Sequence, residues 1–270
     1  MYIFLGNYYS LQTSKLASQE TLVESTPIPK IEITKQDISS LFNEYTPLND
    51  DVLVILCRPV TIDNNCVYYG EWTYDKQYKH GRGIIIKDNI RYEGYWINDE
   101  MNKCGKFIYR NGDIYEGEVC NGKKHGKGKY ESQQYQFVYD GQWEHDDMSG
   151  FGIRTSLFNG SEQYGMFVKG KLKGKGNYSW NNGDRYEGEF KNGVKDGKGK
   201  FVWGNGKKYY EGEWKDGKCH GKGKYVYSDG WVFEGMFNNG VKHGKGRLYD
   251  PSAKIWKEVK YENGKIVQTN

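Results

Sequence analysis

The chain has 270 residues, of which 36 are Gly, 24 are Tyr and 8 are Trp, and its formal net charge is +4. The mean hydropathy is −0.89, and no apolar run approaches the roughly 18 residues of a membrane-spanning helix, which excludes a helical transmembrane protein. The five cysteines are widely spaced and contain no C-x-x-C pair, which argues against a zinc site and a disulfide framework and predicts reduced cytoplasmic thiols.

Residues 1–66 differ in composition from the rest of the chain. They contain one Gly, four of the five Pro, and 4 basic against 8 acidic residues. We predict a mostly irregular N-terminal extension that docks or caps the following domain, with a short helix over 36–45. The apolar run 51–60 ends beside Pro59 and therefore predicts an edge strand.

Residues 67–264 form an array of one repeated unit. The copy that begins at Tyr210 shows the unit in full, Y-x-G-x-W-x-x-G-x-x-H-G-x-G-x-Y. Neighbouring copies of such a unit bury a shared core. The fragment from Trp256 to Gly264 predicts a terminal half-unit that caps the array, followed by a tail over 265–270. The copies, 23 to 24 residues apart, begin at Tyr68, Tyr92, Tyr115, Tyr139, Gln163, Tyr186, Tyr210 and Phe233.

Each unit predicts two short strands joined by a hairpin turn. The segments Y-x-G-x-W and G-x-G-x-Y both alternate with period two. Asn192-Gly193 and Asp216-Gly217 lie between them, and these dipeptides strongly favour two-residue hairpins. A second set of turns, such as Asn182-Gly183 and Asp229-Gly230, joins each unit to the next. The sequence therefore predicts an all-β protein, an elongated single-layer antiparallel meander of about eight hairpins.

Alternation assigns the side chains to two faces. Tyr186, Gly188 and Phe190 share one face of their strand, whereas Glu187 and Glu189 point to the other. Close packing of rings on bare backbone is a reason for so many glycines within strands. The rings are either a self-packed core or a shallow trough for an extended peptide or a helix. This candidate partner-binding face contains Tyr92, Trp96, Tyr115, Tyr139, Trp143, Phe167, Tyr186, Phe190, Tyr210, Trp214 and Phe237.

The opposite face collects lysines from the G-K-G-K segments. Residues 163–256 contain 19 basic and 10 acidic residues, so cross-strand pairing with glutamates leaves an excess of positive charge. An acidic protein or an anionic lipid surface would contact this excess. Nucleic acid is not expected, because no recognised nucleic-acid motif accompanies the charge. The candidate basic contacts are Lys198, Lys200, Lys222, Lys224, Lys245 and Arg247.

The unit resembles the MORN-repeat motif, Y-x-G-x-W-x-x-G-x-x-H-G-x-G, over residues 68 to about 264. The resemblance implies a β-hairpin array used in scaffolding, often in cytoskeletal, ciliary or membrane-associated assemblies, and implies neither catalysis nor a cofactor. Four of the five histidines lie at the H-G position, which Asp196 and Ser149 fill in other copies. Such interchange argues against a catalytic or metal role for these histidines.

We therefore expect a non-enzymatic scaffold without cofactor or metal. The expected partners are other subunits of a multiprotein assembly, including other MORN or axonemal proteins, with homo- or heterodimerisation at the unpaired sheet edges. The resemblance, and a composition poor in Ala but rich in Lys, Asn, Ile and Tyr, favour a cytoplasmic, cytoskeletal location in the axoneme of a cilium or flagellum, such as a radial spoke head. The alternative hypothesis is a peripheral adaptor that binds phosphoinositides or other anionic membranes.

Overall fold

The computed structural model describes residues 54–56, 59–63 and 66–269, so the helix predicted over 36–45 lies outside the described residues. The described residues form twenty strands in one sheet, with every pairing antiparallel. The strands are β1 Val54–Leu56, β2 Val60–Asp63, β3 Cys66–Thr73, β4 Lys79–Lys87, β5 Ile90–Ile97, β6 Glu100–Ile108, β7 Ile114–Cys120, β8 Lys123–Ser132, β9 Phe137–Glu144, β10 Asp147–Ser156, β11 Glu162–Val168, β12 Lys171–Ser179, β13 Arg185–Lys191, β14 Val194–Trp203, β15 Lys208–Lys215, β16 Lys218–Val226, β17 Val232–Asn238, β18 Val241–Asp250, β19 Ile255–Glu262 and β20 Lys265–Thr269.

From β3 onward, each strand pairs with the next one along the chain. The sixteen strands β3 to β18 are the eight predicted hairpins, and β19 and β20 form a further hairpin at the end of the array. Both β1 and β2 pair with β3, through Val54 opposite Thr73 and Val60 opposite Tyr68. These two short strands cover the outer edge of β3; β1 lies within the run 51–60, and β2 begins at its last residue. The predicted single-layer antiparallel meander is therefore confirmed.

The two sets of turns differ in backbone geometry. Within a unit, Asn192 and Gly193 both have positive φ, at 52° and 81°, as a two-residue type I′ hairpin requires. In the turn from β12 to β13, which joins two units, only the glycine is left-handed: Gly183 has a φ of 84°, and its N–H donates to the carbonyl of Trp180 at 3.0 Å. This second turn is longer, and the Asn182 side chain supports it by accepting from the N–H of Asp184 at 3.0 Å.

A row of sixteen glycines crosses the sheet from β3 to β18. Each strand contributes one glycine, and each glycine lies directly opposite the next, as Gly188 does with Gly199 and Gly199 with Gly212. At the far end Gly246 lies opposite Val259 of β19, where the row stops. The tyrosine that begins a unit lies over two of these glycines, so a Cβ on Gly188 would lie 2.6 Å from the Tyr186 hydroxyl oxygen.

The tyrosine hydroxyl also fixes a β-bulge. Tyr186 donates to the carbonyl of Glu189 at 3.1 Å, three residues further along the chain. The register between β13 and β14 shifts between Gly188 and Phe190, so this carbonyl lies where the ladder is interrupted. The same bond to the third residue on is made by Tyr68, Tyr92, Tyr115, Tyr139 and Tyr210, at 2.6 to 3.0 Å.

The second aromatic position of the motif joins consecutive units. The indole N–H of Trp214 donates to the carbonyl of Gly199 in the preceding unit at 3.0 Å. Its ring makes edge contacts with Tyr210 of its own unit and Tyr186 of the preceding one, with centroids 5.2 Å apart in both pairs. Each unit therefore completes its aromatic packing on its neighbour, as expected of a repeat array.

We expect the substitution Gly188→Ala to lower the free energy of unfolding by about 2 kcal/mol or more. The added Cβ would lie against the Cα of Gly199 and 2.6 Å from the carbonyl oxygen of Lys198, and backbone atoms of a paired strand cannot rotate away. The midpoint of urea unfolding, followed by circular dichroism, measures the change.

The matched control is Glu187→Ala, one residue earlier in the same strand on an exposed side chain. A surface change of this kind is expected to alter stability by no more than about 0.5 kcal/mol. Equal midpoints for the two variants would contradict the role assigned to the glycine row.

Candidate partner-binding surfaces

The structure places the eleven predicted aromatic residues in the core. We call this side of the sheet, which includes the glycine row, the aromatic face. Their rings contact one another at the edges, for example Tyr139 with Trp143 and with Phe167, at 5.2 Å in both cases. The exposed fraction of each is 6% or less for Tyr92, Trp96, Tyr115, Tyr139, Trp143, Phe167, Tyr186, Phe190, Tyr210, Trp214 and Phe237.

A partner laid on the aromatic face would therefore first meet other rings. A second row is only partly buried and packs against the eleven. Trp180, for example, stacks on Tyr178 at 4.0 Å and tilts toward Phe201 at 5.4 Å. Of the two alternatives for the eleven residues, the geometry corresponds to the self-packed core, and a direct contact between them and a partner stays a prediction.

Lysines fill pockets between these rings, a feature not anticipated from the sequence. The Lys195 ammonium lies 4.2 Å from the Trp214 ring centroid and 4.6 Å from that of Phe201. The Lys124 ammonium lies 4.8 Å from Tyr130 and 4.9 Å from Trp143. Cation–π attraction strengthens when the cation is partly withdrawn from water. We call these residues, with Lys79 and Lys242, the caged lysines.

The sequence does hold a signal for the caged lysines. Each of them occupies the position before the H-G pair of its unit, which is Asp196-Gly197 in the case of Lys195. The alternation of side chains along the strand places this position on the aromatic face. The other four units have an apolar residue or a cysteine there, each directly opposite the second aromatic position, as Met148 is to Trp143 and Cys219 to Trp214. The eight residues in order are Lys79, Met101, Lys124, Met148, Leu172, Lys195, Cys219 and Lys242.

Lys242 has the most perturbed environment of the caged lysines. Its ammonium lies 4.8 Å from the ring centroids of Tyr227, Phe233 and Tyr261. It donates hydrogen bonds to the hydroxyl oxygens of Tyr227 and Tyr261. Burial among these rings, which disfavours the charged form, lowers the pKa of Lys242 to about 8.

The opposite side of the sheet, which we call the charged face, contains a shallow groove. It crosses β12 to β16, has a volume of about 810 Å³ and is lined by lysines and glutamates above bare glycine backbone. Lys200 pairs with Glu211 at 3.6 Å across neighbouring strands. The charged face therefore presents side chains of both signs to any partner.

The two glutamates of a unit differ in function. Glu211 faces lysines of the adjacent strands, as predicted for a cross-strand ladder. Glu213 instead accepts a hydrogen bond from the backbone N–H of Lys222 at 3.3 Å, and Glu118 does the same with Lys127 at 2.9 Å. The bulge frees these N–H groups from the ladder, so this second glutamate has a structural role.

The six predicted basic contacts all lie on the charged face, but their surroundings differ. Arg247 donates to Glu234 at 2.6 Å and Lys224 lies 3.2 Å from the same carboxylate. The Arg247 hydrogen bond, reinforced by Lys224, holds the pKa of Glu234 below its usual range. Among the described residues, Lys198, Lys222 and Lys245 form no ion pair.

Two adjacent strands, β10 and β11, interrupt the charged face. Phe151 and Ile153 of β10 lie opposite Met166 and Tyr164 of β11, at positions that hold lysine and glutamate in the β14–β15 pair. We call these four residues the apolar patch. Aligning the repeats at the period found in the sequence would have revealed the patch, because only this pair of strands lacks charge at all four positions.

Two further classes of site were sought in the described residues. In that part of the chain, no cluster of three or more His, Cys, Asp or Glu side chains is arranged to hold a metal ion. The same residues include no helix with the length and apolar character needed to cross a membrane.

The fold and its glycine, tyrosine and tryptophan contacts define a single-sheet array of β-hairpin repeats. The chain belongs to the MORN repeat family, whose model matches residues 92–114, 115–135, 139–156, 164–185, 186–208, 210–232 and 233–252. The hairpin β3–β4, which precedes these matches, has the same tyrosine and glycine pair. Repeats of this family are in general modules that bind proteins or membranes rather than enzymes.

The named relatives match this chain over a part of its length. Rat alsin is 41% identical over 145 residues, which cover 42% of this chain and 9% of alsin. The Plasmodium berghei protein named inactive protein tyrosine kinase pTKL is 30% identical over 33% of this chain and 7% of its own length. MORN repeat-containing protein 3 of Xenopus laevis is 37% identical over 20% of this chain and 23% of its own. The chain thus matches less than a quarter of each relative.

We expect the caged Lys242 to make stability depend on pH. Because its pKa in the folded protein is about 8, against roughly 10.4 when unfolded, the unfolded chain binds more protons between these values. The free energy of unfolding of the wild type should therefore rise relative to Lys242→Met from pH 8 to about 9.5. Urea unfolding across this range measures the difference.

Lys245→Met, three residues further along β18 on the charged face, is the control for loss of a lysine. Because Lys245 lies outside the pockets between the rings, its replacement should not reproduce the divergence from wild type expected of Lys242→Met. Parallel pH curves for wild type and Lys242→Met would contradict the environment assigned to the caged lysine.

Proposed function

We propose that this protein is a non-enzymatic scaffold for protein assembly and that the charged face is its docking surface. The observation that supports this most is the unequal use of the two faces. The rings of the aromatic face contact one another within the array, whereas the charged face contains an open groove of about 810 Å³. Membership of a family whose repeats in general bind proteins or membranes agrees with this assignment.

The proposed setting is a cytoskeletal assembly in the cytoplasm, and within it a ciliary or flagellar axonemal complex such as a radial spoke head. The support is the sequence: the resemblance to a family used in such assemblies and the scarcity of Ala beside abundant Lys, Asn, Ile and Tyr. The proposed partners are other subunits of that complex, including other MORN or axonemal proteins.

A membrane adaptor is the second candidate function. The excess of 19 basic over 10 acidic residues in 163–256 favours it, because each lysine near an anionic surface adds attraction. The glutamates between the lysines oppose it, since Glu211 and Glu234 already pair with Lys200, Lys224 and Arg247. We therefore propose protein as the ligand of the charged face.

Affinity purification of the tagged protein from its native cell, followed by mass spectrometry, tests this function. The wild type is expected to recover a stoichiometric set of cytoskeletal proteins. The variant with Lys198, Lys200, Lys222 and Lys224 changed to Glu should lose that set, because the docking surface then has the wrong charge. Circular dichroism and the thermal midpoint establish that this variant is folded.

A matched control changes Lys123, Lys169, Lys207 and Lys254 to Glu, at exposed turn and strand-end positions, with the same change in net charge. This control should keep the partner set. Flotation with phosphatidylserine and phosphoinositide vesicles provides the membrane arm. Recovery of the wild type alone, together with charge-dependent flotation, would replace the scaffold with the membrane adaptor.

A further inference from the structure

The adjacent strands β10 and β11 differ from the neighbouring strand pairs on both faces, although Phe167 of β11 remains in the aromatic core. On the charged face, Phe151, Ile153, Tyr164 and Met166 are 36 to 55% exposed. On the aromatic face, Arg154 lies opposite Gln163, where Phe201 lies opposite Tyr210 in the β14–β15 pair. These two strands therefore present apolar side chains on the charged face, the side of the sheet that contains the groove.

The apolar patch is contiguous with the groove. Phe151 lies opposite Met166, and the next strand, β12, contributes Lys175 and Asn177 to the groove. Exposed apolar side chains that cluster on an otherwise polar surface mark interaction sites. Surfaces of this kind supply the buried centre of an interface, with charged residues at its rim.

Lysines without an ion pair continue from the patch along the sheet. In the described part of the chain, Lys175, Lys198, Lys222 and Lys245 form no ion pair, and they lie on β12, β14, β16 and β18. The intervening Glu213 is engaged by the backbone N–H of Lys222 at 3.3 Å, which leaves Lys198 opposite it without a carboxylate. Unpaired positive charge thus recurs at every second strand.

The spacing of these lysines indicates the secondary structure of the partner segment. Strands lie about 4.8 Å apart, so lysines on alternate strands are about 9.6 Å apart. Two turns of an α-helix rise about 10.8 Å, so residues seven apart on a helix lying across the strands would follow this spacing. An extended segment places its same-face side chains about 6.8 Å apart, which does not match.

We propose that the apolar patch and these lysines bind an amphipathic acidic helix of a partner protein, laid across the strands. Bulky apolar residues of the helix cover Phe151, Ile153, Tyr164 and Met166. Acidic residues at intervals of seven then meet Lys175, Lys198 and Lys222. This inference rests on the proposed scaffold function and assigns the chemistry of its partner.

The probe is a synthetic helix of about 25 residues on an Ala/Gln background, with leucines in its first two turns and three glutamates seven residues apart. One comparison peptide replaces the glutamates by lysine, and another replaces the leucines by glutamine. Fluorescence anisotropy with the full chain measures each Kd. The acidic leucine peptide should bind, and both comparison peptides should bind at least about tenfold more weakly.

The decisive variant gives the patch the charges of its neighbours: Phe151→Lys, Ile153→Lys, Tyr164→Glu and Met166→Glu together. The β14–β15 pair has lysine and glutamate at these positions, so the fold accommodates the change. Affinity for the acidic peptide should fall at least about tenfold. Replacing Lys175, Lys198 and Lys222 by Gln should weaken binding and flatten its dependence on salt.

The matched control restores the usual residues on the other face, with Arg154→Phe and Gln163→Tyr. It alters the same two strands but leaves the patch, so Kd should stay within about twofold. An unchanged Kd in the patch variant, equal binding of the lysine peptide, or no binding of the acidic peptide to wild type would each overturn the inference.

Two other occupants of the patch have their own signatures. Dimerisation of the wild type in sedimentation, abolished in the patch variant, would assign the patch to a second copy of the chain. Vesicle flotation lost in that variant would assign it to a membrane. Recovery of the native partner set by the patch variant would overturn this inference alone, whereas absence of partners from the wild type overturns the scaffold function itself.

Discussion

A tyrosine ring laid across two glycines of paired strands is the contact on which the rest of this sheet depends. The ring of Tyr186 occupies the space above Gly188 and Gly199, and its hydroxyl donates to the carbonyl of Glu189 at 3.1 Å. That carbonyl is available because a bulge interrupts the ladder. A Cβ at either glycine would remove the site for the ring, and without the ring a single-layer sheet has little apolar surface to bury on that face.

The same contact explains why the two faces differ in how much their residues vary from unit to unit. The leading tyrosine, the glycine pair and a second aromatic residue perform one structural task in most units, so most copies repeat the same residue types. Even the cavities between the rings are filled from within the chain, by the caged lysines or by Met148 and Leu172. On the charged face the second glutamate of a unit, such as Glu118 or Glu213, is engaged by the backbone. Positions without such a bond are free to differ between units, and differences there report on ligands.

Much of this arrangement could be predicted from the sequence, because a period of two within a period of 23 to 24 defines strands, turns and faces. The bulge could not, because it follows from where the Tyr186 hydroxyl finds a carbonyl. Alternation alone assigns Glu213 as a cross-strand partner of lysines, whereas in the structure it accepts a hydrogen bond from the Lys222 N–H. Alternation does place Lys195 on the aromatic face. Its position 4.2 Å from the Trp214 ring centroid depends instead on the depth of the pocket between units, which no local pattern encodes.

The apolar patch resolves a difficulty inherent in a repetitive docking surface. Lysines at every second strand are equivalent under a shift of one unit, so an acidic helix held only by them could bind in several registers of similar free energy. Specificity requires that the alternatives be worse, not merely that one arrangement be good. A helix shifted by one unit, from β10 and β11 to β12 and β13, would place its apolar residues on Lys175 and Glu189 and leave Phe151 and Met166 exposed to water. One pair of adjacent strands with apolar residues on the charged face therefore converts a periodic surface into one with a single preferred register.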